Sequence, residues 1–341
     1  MIRVLVVDDS LVVRQLLTEA LSGEPDIQIV GFARDGNEGV LLAERLKPDV
    51  ITMDIMMPGL NGVEATRRIM EKSPTPIVVM SSAPQSSTDR LAFDAMQAGA
   101  LAIILKPKIG SEFSAIKNEI LTRIRLMSQV KVVKREARAS RRAERPIQLP
   151  AAPSYKIRLI AIGSSTGGPA ALQTIFSHLP ARVPVPVVVA QHMTPGFMSG
   201  MVEWLASSAT NPLKLAEHGE LMRPGCIYIA PEGFHTGVTI DGKIALEEGP
   251  EIDGARPSVN HLFSSVAEAY GPMALALLLT GMGSDGVRGL ARIKAMGGKA
   301  FAQDQSSSVV FGMPQLAIQE GVVDKVLRLD EMAGAVMASL T

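Results

Sequence analysis

The sequence predicts two α/β domains in tandem, joined by a basic, proline-containing segment. Three observations predict it. Short β-branched runs alternate with stretches of helical periodicity across residues 1–127. The composition then changes over residues 128–154 to a crowd of basic side chains followed by prolines. The alternation resumes afterwards and continues over residues 155–341. Strand–helix units in succession imply parallel strands with helices on both faces. A chain of 341 residues has room for two cores of ordinary size.

The elements follow in order. Ile2–Val7 is a β-branched run. Ser10 can cap a helix with Val12, Val13, Leu16, Leu17, Ala20 and Leu21 on one side, and Gly23 stops it. Ile27–Ala33 reads as a strand before a helix near Asn37–Leu46. Val50–Met53 precedes a helix over Gly62–Met70, and Ile77–Met80 precedes one near Thr88–Ala98. Leu101–Leu105 is the fifth strand and Ser111–Met127 the last helix. Between the domains, Lys131, Lys134, Arg135, Arg138, Arg141, Arg142 and Arg145 lead into Pro146, Pro150 and Pro153. No apolar face persists there, so the segment reads as a solvated linker. Strands resume at Ile157–Ile162 and recur near Pro186–Ala190, Cys226–Ala230, Thr239–Leu246, Leu275–Leu279 and Ala300–Ala302. Asp241-Gly242 predicts a hairpin turn in an antiparallel excursion around Val238–Glu247.

Composition sets broad limits. Apolar residues make up 47% and charged residues 20%, a globular balance. Lys plus Arg equals Asp plus Glu at 34 each, so net charge favours neither a nucleic-acid nor a membrane partner. No helix-turn-helix signal with a basic recognition helix follows the linker, which argues against nucleic acid. No apolar run approaches the roughly 20 residues of a membrane span, and the N-terminus lacks the apolar core of a signal peptide. The expectation is a soluble cytoplasmic protein with no direct membrane insertion. Cys226 is the single cysteine, which excludes an internal disulfide. It reads as a small buried apolar residue.

Two groups of residues carry chemistry. In the first, Asp8 and Asp9 follow the first strand, Asp54 the third, and Lys106 the fifth, while Ser81 ends the fourth. In a parallel sheet these lie at the carboxyl edge, where ligands bind. Taken singly, any one acid there reads better as a helix cap. Converging together, Asp8, Asp9 and Asp54 repel one another unless a hard cation such as Mg²⁺ sits among them. Lys106 can neutralise a phosphoryl oxygen, and Ser81 can offer a hydroxyl to another.

The second group begins at Gly163-Ser164-Ser165-Thr166-Gly167-Gly168, which follows a strand and opens a helix. Gly163-x-Ser165-x-Gly167 fits a nucleophile elbow, and the helix amides can stabilise an oxyanion. The same turn could cradle a nucleotide phosphate. Among five histidines, His192 alone directly follows a long apolar strand, at the edge that Ser165 shares. His178 sits late in a helix, and His218, His235 and His261 read as surface residues in loop or cap settings. Asp285 follows the apolar run Leu277-Leu278-Leu279 through a glycine-rich turn and can orient an imidazole. The chain order Ser, His, Asp differs from that of α/β-hydrolases, but triads are recognised by geometry. Against nucleotide binding, the turn lacks a P-loop lysine, and no acid lies about twenty positions beyond it for a ribose.

The first domain resembles the receiver of two-component response regulators, through Val-Val-Asp8-Asp9-Ser, Met-Asp54-Ile-Met-Met-Pro58-Gly and Lys106-Pro107. The second is similar to the catalytic domain of chemotaxis protein-glutamate methylesterases/protein-glutamine glutaminases, the CheB family. The carrying segments are Ile-Gly-Ser-Ser165-Thr-Gly-Gly, Gln191-His192-Met, Tyr228-Ile-Ala-Pro231, Arg256-Pro-Ser-Val, Thr-Gly-Met282-Gly-Ser-Asp285-Gly and Phe311-Gly-Met-Pro314. The resemblance implies a flavodoxin-like receiver of five parallel strands and a Rossmann-like domain with a mostly parallel sheet. It implies Asp54 as phosphoacceptor from a histidine kinase, with Mg²⁺ held by Asp8, Asp9 and Asp54, and Ser81 and Lys106 as the switch pair. It implies Ser165 as nucleophile, His192 as base and Asp285 as orienter, with Met282 and Thr166 at the oxyanion and substrate site and no cofactor in that domain. The implied substrates are methylated chemoreceptors, with deamidation of glutamine at the same site. The implied regulation is a resting receiver that covers the cleft until Asp54 is phosphorylated, serving adaptation in chemotaxis. Ile103 stands where many receivers carry an aromatic switch residue. A non-enzymatic response regulator that only binds partners is the rival reading, and the intact Ser165, His192 and Asp285 set argues against it.

Overall fold

The alternation of apolar strands and amphipathic helices builds a separate sheet in each half of the chain. The computed structural model describes residues 1–82, 86–107, 113–130, 132 and 157–340. Its contacts divide the chain into two units, Met1–Ile147 and Gln148–Thr341. The basic run of the linker lies outside the described residues.

In the first unit the elements are β1 (Ile2–Val7), α1 (Leu11–Ser22), β2 (Ile27–Ala33), α2 (Gly36–Leu46), β3 (Val50–Asp54), α3 (Gly62–Lys72), β4 (Ile77–Ser81), α4 (Ser86–Ala98), β5 (Ala102–Leu105) and α5 (Phe113–Met127). The strands run parallel in the order β2-β1-β3-β4-β5. Polar side chains start the helices by accepting orphan amides. Ser10 accepts from Val13 N, Asp35 from Asn37 N and Glu38 N, and Asn61 from Glu64 N. β3 and β4 are buried along their whole length, as continuous apolar runs in a doubly covered sheet require. The strand order reverses between β1 and β3, so a crevice opens outside their carboxyl ends. Asp8, Asp9 and Asp54 stand there. Ile103 is buried in β5 as a core residue.

The second unit comprises β6 (Leu159–Ser164), α6 (Gly168–His178), β7 (Val187–Gln191), α7 (Met198–Ala206), β8 (Leu213–Leu215), β9 (Ile227–Ile229), β10 (His235–Val238), β11 (Ile244–Glu247), α8 (Val259–Tyr270), β12 (Ala274–Leu278), α9 (Val287–Ala295), β13 (Lys299–Gln303), α10 (Met313–Gln319), β14 (Lys325–Leu327) and α11 (Leu329–Leu340). Seven strands are parallel in the order β14-β13-β12-β6-β7-β9-β8. β6 lies in the middle with β7 and β12 beside it. The loops leaving these three strands therefore meet at one edge, and they carry Ser165, His192 and Asp285. On one face, Leu262, Phe263 and Val266 of α8 pack with Leu159, Ala161 and Leu278 in a single buried cluster.

The expected hairpin is present: β10 and β11 form an antiparallel ribbon closed by Asp241-Gly242, where Gly242 takes φ 80°, in place of a single strand near Thr239–Leu246. Two expectations change. β8 and β14 were not anticipated, because three residues at a sheet edge leave no periodic signal. Cys226 is half-buried, packed at the margin of the apolar cluster rather than inside it.

Candidate active site

The acidic crevice of the first unit is built by strand ends. Asp8 and Asp54 are buried, Asp9 is exposed, and their carboxylates approach within 4.8 Å of one another. Lys106 Nζ reaches Asp8 Oδ2 at 2.9 Å and Asp54 Oδ2 at 2.8 Å. Asp8 Oδ1 also accepts from Ser10 N, and Asp54 Oδ1 from Met56 N. Burial pushes Asp54 up to about 6, against the hydrogen bond and charge of Lys106. Burial also works against the Lys106 ammonium, but its bonds to Asp54 and Asp8 outweigh that and hold it above the usual lysine range. The buried Ser81 Oγ has no hydrogen-bond partner among the described residues. Three hard oxygen donors at this spacing, and an unused hydroxyl beside them, fit Mg²⁺ and a phosphoryl group. All five residues of this group thus meet at one edge.

The second site starts at a sharp turn. Ser165 N donates to Thr280 O at 3.0 Å, and Gly168 N donates back to Ser165 O at 2.8 Å. Gly167 takes φ 80° to enter α6. Gly281 faces the serine closely: a Cβ there would lie 2.7 Å from Ser165 Cβ and 2.4 Å from Met313 Sδ. Ser165 and Thr166 are buried, at 8% and 7% exposure. Met282, by contrast, is exposed on the loop after β12.

His192 and Asp285 are joined. His192 Nε2 lies 2.9 Å from Asp285 Oδ2. The carboxylate rests on the N-terminus of α8: Oδ2 accepts from Val259 N at 2.7 Å, and Oδ1 from Asn260 N at 2.7 Å and Ser258 Oγ at 2.9 Å. Burial works to raise the Asp285 pKa, but the His192 bond and charge and these donors outweigh it and hold the group below its ordinary value of 3.8. An ionised acceptor fixes the proton of neutral His192 on Nε2 and leaves Nδ1 as the basic nitrogen. His192 N donates to Ser164 O, which brings the histidine loop against the serine turn. No hydrogen bond joins Ser165 Oγ to His192 among the described residues.

The other histidines divide. His178 and His218 are exposed. His235, expected at the surface, is buried in β10. Its Nδ1 accepts from Ser258 N and its Nε2 donates to Pro250 O at 2.8 Å. His261 stacks on it with ring centroids 5.1 Å apart. Neither reaches the serine turn through any hydrogen bond. Sequence reasoning missed the Ser258–Asn260 cradle of Asp285. The only signal was a serine three residues before His261 at a helix start, which reads as an ordinary cap. It also left Gln191 and Thr280 without roles. Thr280 Oγ1 donates to Thr166 O at 2.9 Å and accepts from Val310 N, and it ties three loops together.

Comparison with known proteins agrees with this architecture. The CheB methylesterase family model matches residues 160–336, and the response regulator receiver domain model matches residues 4–116. A protein-glutamate methylesterase/protein-glutamine glutaminase of Nitrosospira multiformis is 46% identical, over 98% of this chain and 96% of that protein. One of Methanospirillum hungatei is 44% identical over 93% and 92%. The crystal structure of the Thermotoga maritima CheB methylesterase catalytic domain superposes with a TM-score of 0.52 at 39% identity, covering 53% of this chain and 98% of that one. With both domain types in order and similarity along nearly its whole length, the chain belongs to the CheB methylesterase family.

Proposed function

We propose that the chain is a phosphorylation-activated hydrolase that removes methyl esters from glutamates of chemoreceptors and deamidates glutamines at the same site. The observation that carries this is the His192–Asp285 pair, held on a helix N-terminus beside the Ser165 turn. His192 Nδ1 takes the proton of Ser165 Oγ as that oxygen attacks the ester carbonyl. Amides at the start of α6 and at Met282 receive the oxyanion, with Thr166 lining the same place. One such donor contributes about 2.7–4 kcal/mol to the barrier. His192 then protonates the departing methanol, or ammonia from glutamine. Water, deprotonated in turn by His192, releases the glutamate from Ser165. Asp285 stays ionised throughout and holds the imidazolium that forms.

In the receiver, Asp54 accepts phosphate from a histidine kinase. Asp8, Asp9 and Asp54 would hold Mg²⁺, which when bound neutralises phosphoryl oxygens. Lys106 and the free hydroxyl of Ser81 are placed to contact the phosphoryl group, and they form the switch. Phosphorylation raises the hydrolase rate through a two-state change biased by local charge. The family membership supports adaptation in chemotaxis as the role, and no described helix is long and apolar enough to cross a membrane. The test is methanol release from methylated receptor membranes, with and without acetyl phosphate. Wild type should release methanol faster with the phosphodonor, and Ser165→Ala should release none. Equal rates for both proteins would sink the esterase reading.

A further inference from the structure

Gln191 ends β7 and its side chain is buried. Its carboxamide is fully committed. Nε2 donates to Ser165 O at 2.8 Å and to His192 O at 2.6 Å, and Oε1 accepts from Ser164 Oγ at 2.6 Å. Both amide hydrogens therefore go to the backbone of the two residues between which the proton must pass. Gly168 leaves the space: a Cβ there would lie 1.9 Å from Oε1.

A buried carboxamide often serves only to satisfy backbone groups. Here the β6–β7 register is already set by five backbone pairs, from Ile160 with Val187 to Ser164 with Gln191. What the ladder leaves open is the direction in which the chain exits beyond its last pair, and Ser165 and His192 sit there. We propose that Gln191 is a positioning residue of the ester hydrolysis, fixing the separation of Ser165 Oγ and His192 Nδ1. The inference rests on the roles given to those two residues above. Gln191 touches neither substrate nor the transferred proton.

Two variants test it, on methylated receptor membranes. Gln191→Leu removes all three bonds, and a displacement of the order of 1 Å at such a site costs about 100-fold in rate. The expected result is a kcat lower by about that factor with KM unchanged. Gln191→Glu keeps the shape but can ionise. Its protonated form donates one hydrogen bond, while its ionised form donates none and repels both carbonyls. The ratio of its kcat to that of wild type should therefore fall as pH rises. Asn211→Ala is the control. Asn211 is a buried carboxamide bonded to Val183 N and Pro180 O, with no bond to the site, and its loss should leave kcat at the wild-type level. The proposal is overturned if Gln191→Leu keeps wild-type kcat, if Asn211→Ala loses as much, or if the Gln191→Glu profile parallels wild type. If Gln191→Leu does not fold, the Gln191→Glu profile decides alone. A wild type silent on the same membranes would instead overturn the esterase reading on which the proposal stands.

Discussion

His192 Nε2 stands 2.9 Å from Asp285 Oδ2, and the remaining bonds to that carboxylate all come from the start of α8. Both oxygens are thus surrounded by donors. An amide in the same place has one acceptor and one donor. In Asp285→Asn the NH₂ group must face either Asn260 N and Ser258 Oγ, or Val259 N and His192. Facing His192, it forces the imidazole to accept at Nε2 and carry its proton on Nδ1, the wrong tautomer for a base. The expected loss in kcat is about 10⁴-fold, with KM little changed. Steady-state methanol release checks it.

Asp285 also links folding to pH. Its pKa is depressed in the folded state and ordinary, at 3.8, in the unfolded chain. The unfolded state therefore binds the proton first as pH falls. The stabilisation is fully present above about pH 4 and is lost as pH falls through the folded-state pKa. The gap in thermal midpoint between wild type and Asp285→Asn should be widest above about pH 4 and narrow below it. A gap independent of pH would show that the carboxylate contributes nothing as an anion.

Gly281 illustrates a constraint of space. An added methyl group would press on Ser165 Cβ and Met313 Sδ. Methionine can bend away, but the serine is fixed by its own backbone bond to Thr280. Gly281→Ala should therefore cost about 1–3 kcal/mol of stability by overpacking. By displacing the hydroxyl it should also lower kcat by about 100-fold. Urea unfolding and methanol release on the same preparation separate the two effects.

Much of this was legible in the sequence, for identifiable reasons. Asp8, Asp54, Ser81, Lys106, Ser165 and His192 each directly follow an apolar strand or end one, Asp285 follows one through a glycine-rich turn, and parallel strands bring such positions to one edge. The periodicity from Ile2 to Leu105 and from Leu159 to Leu278 was thus enough to gather them. What stayed hidden depends on contacts made across the fold. Ser258 looks like any helix cap until α8 is seen to aim at Asp285. His235 looks like a loop residue because β10 is only four residues long. β8 and β14 exist because neighbouring strands offer them edges, which no local pattern encodes.

The crevice of the first unit gives a further prediction. Asp54 bonds Lys106 at 2.8 Å, and its buried Oδ2 has no other partner among the described residues. Asp54→Asn keeps the size and removes the nucleophilic oxygen. Stimulation of methanol release by acetyl phosphate should vanish in this variant while its unstimulated rate remains. Chelating Mg²⁺ with EDTA should abolish the stimulation of wild type in the same way. Stimulation that survives both treatments would place the phosphoacceptor elsewhere.

The central claim is that Ser165 is a nucleophile activated by His192. Intact-protein and peptide mass spectrometry after reaction with a fluorophosphonate tests it most directly. The account predicts one adduct, on the peptide that contains Ser165, absent in Ser165→Ala and formed far more slowly in His192→Gln. An adduct on another residue, or labelling of His192→Gln at the wild-type rate, would contradict it.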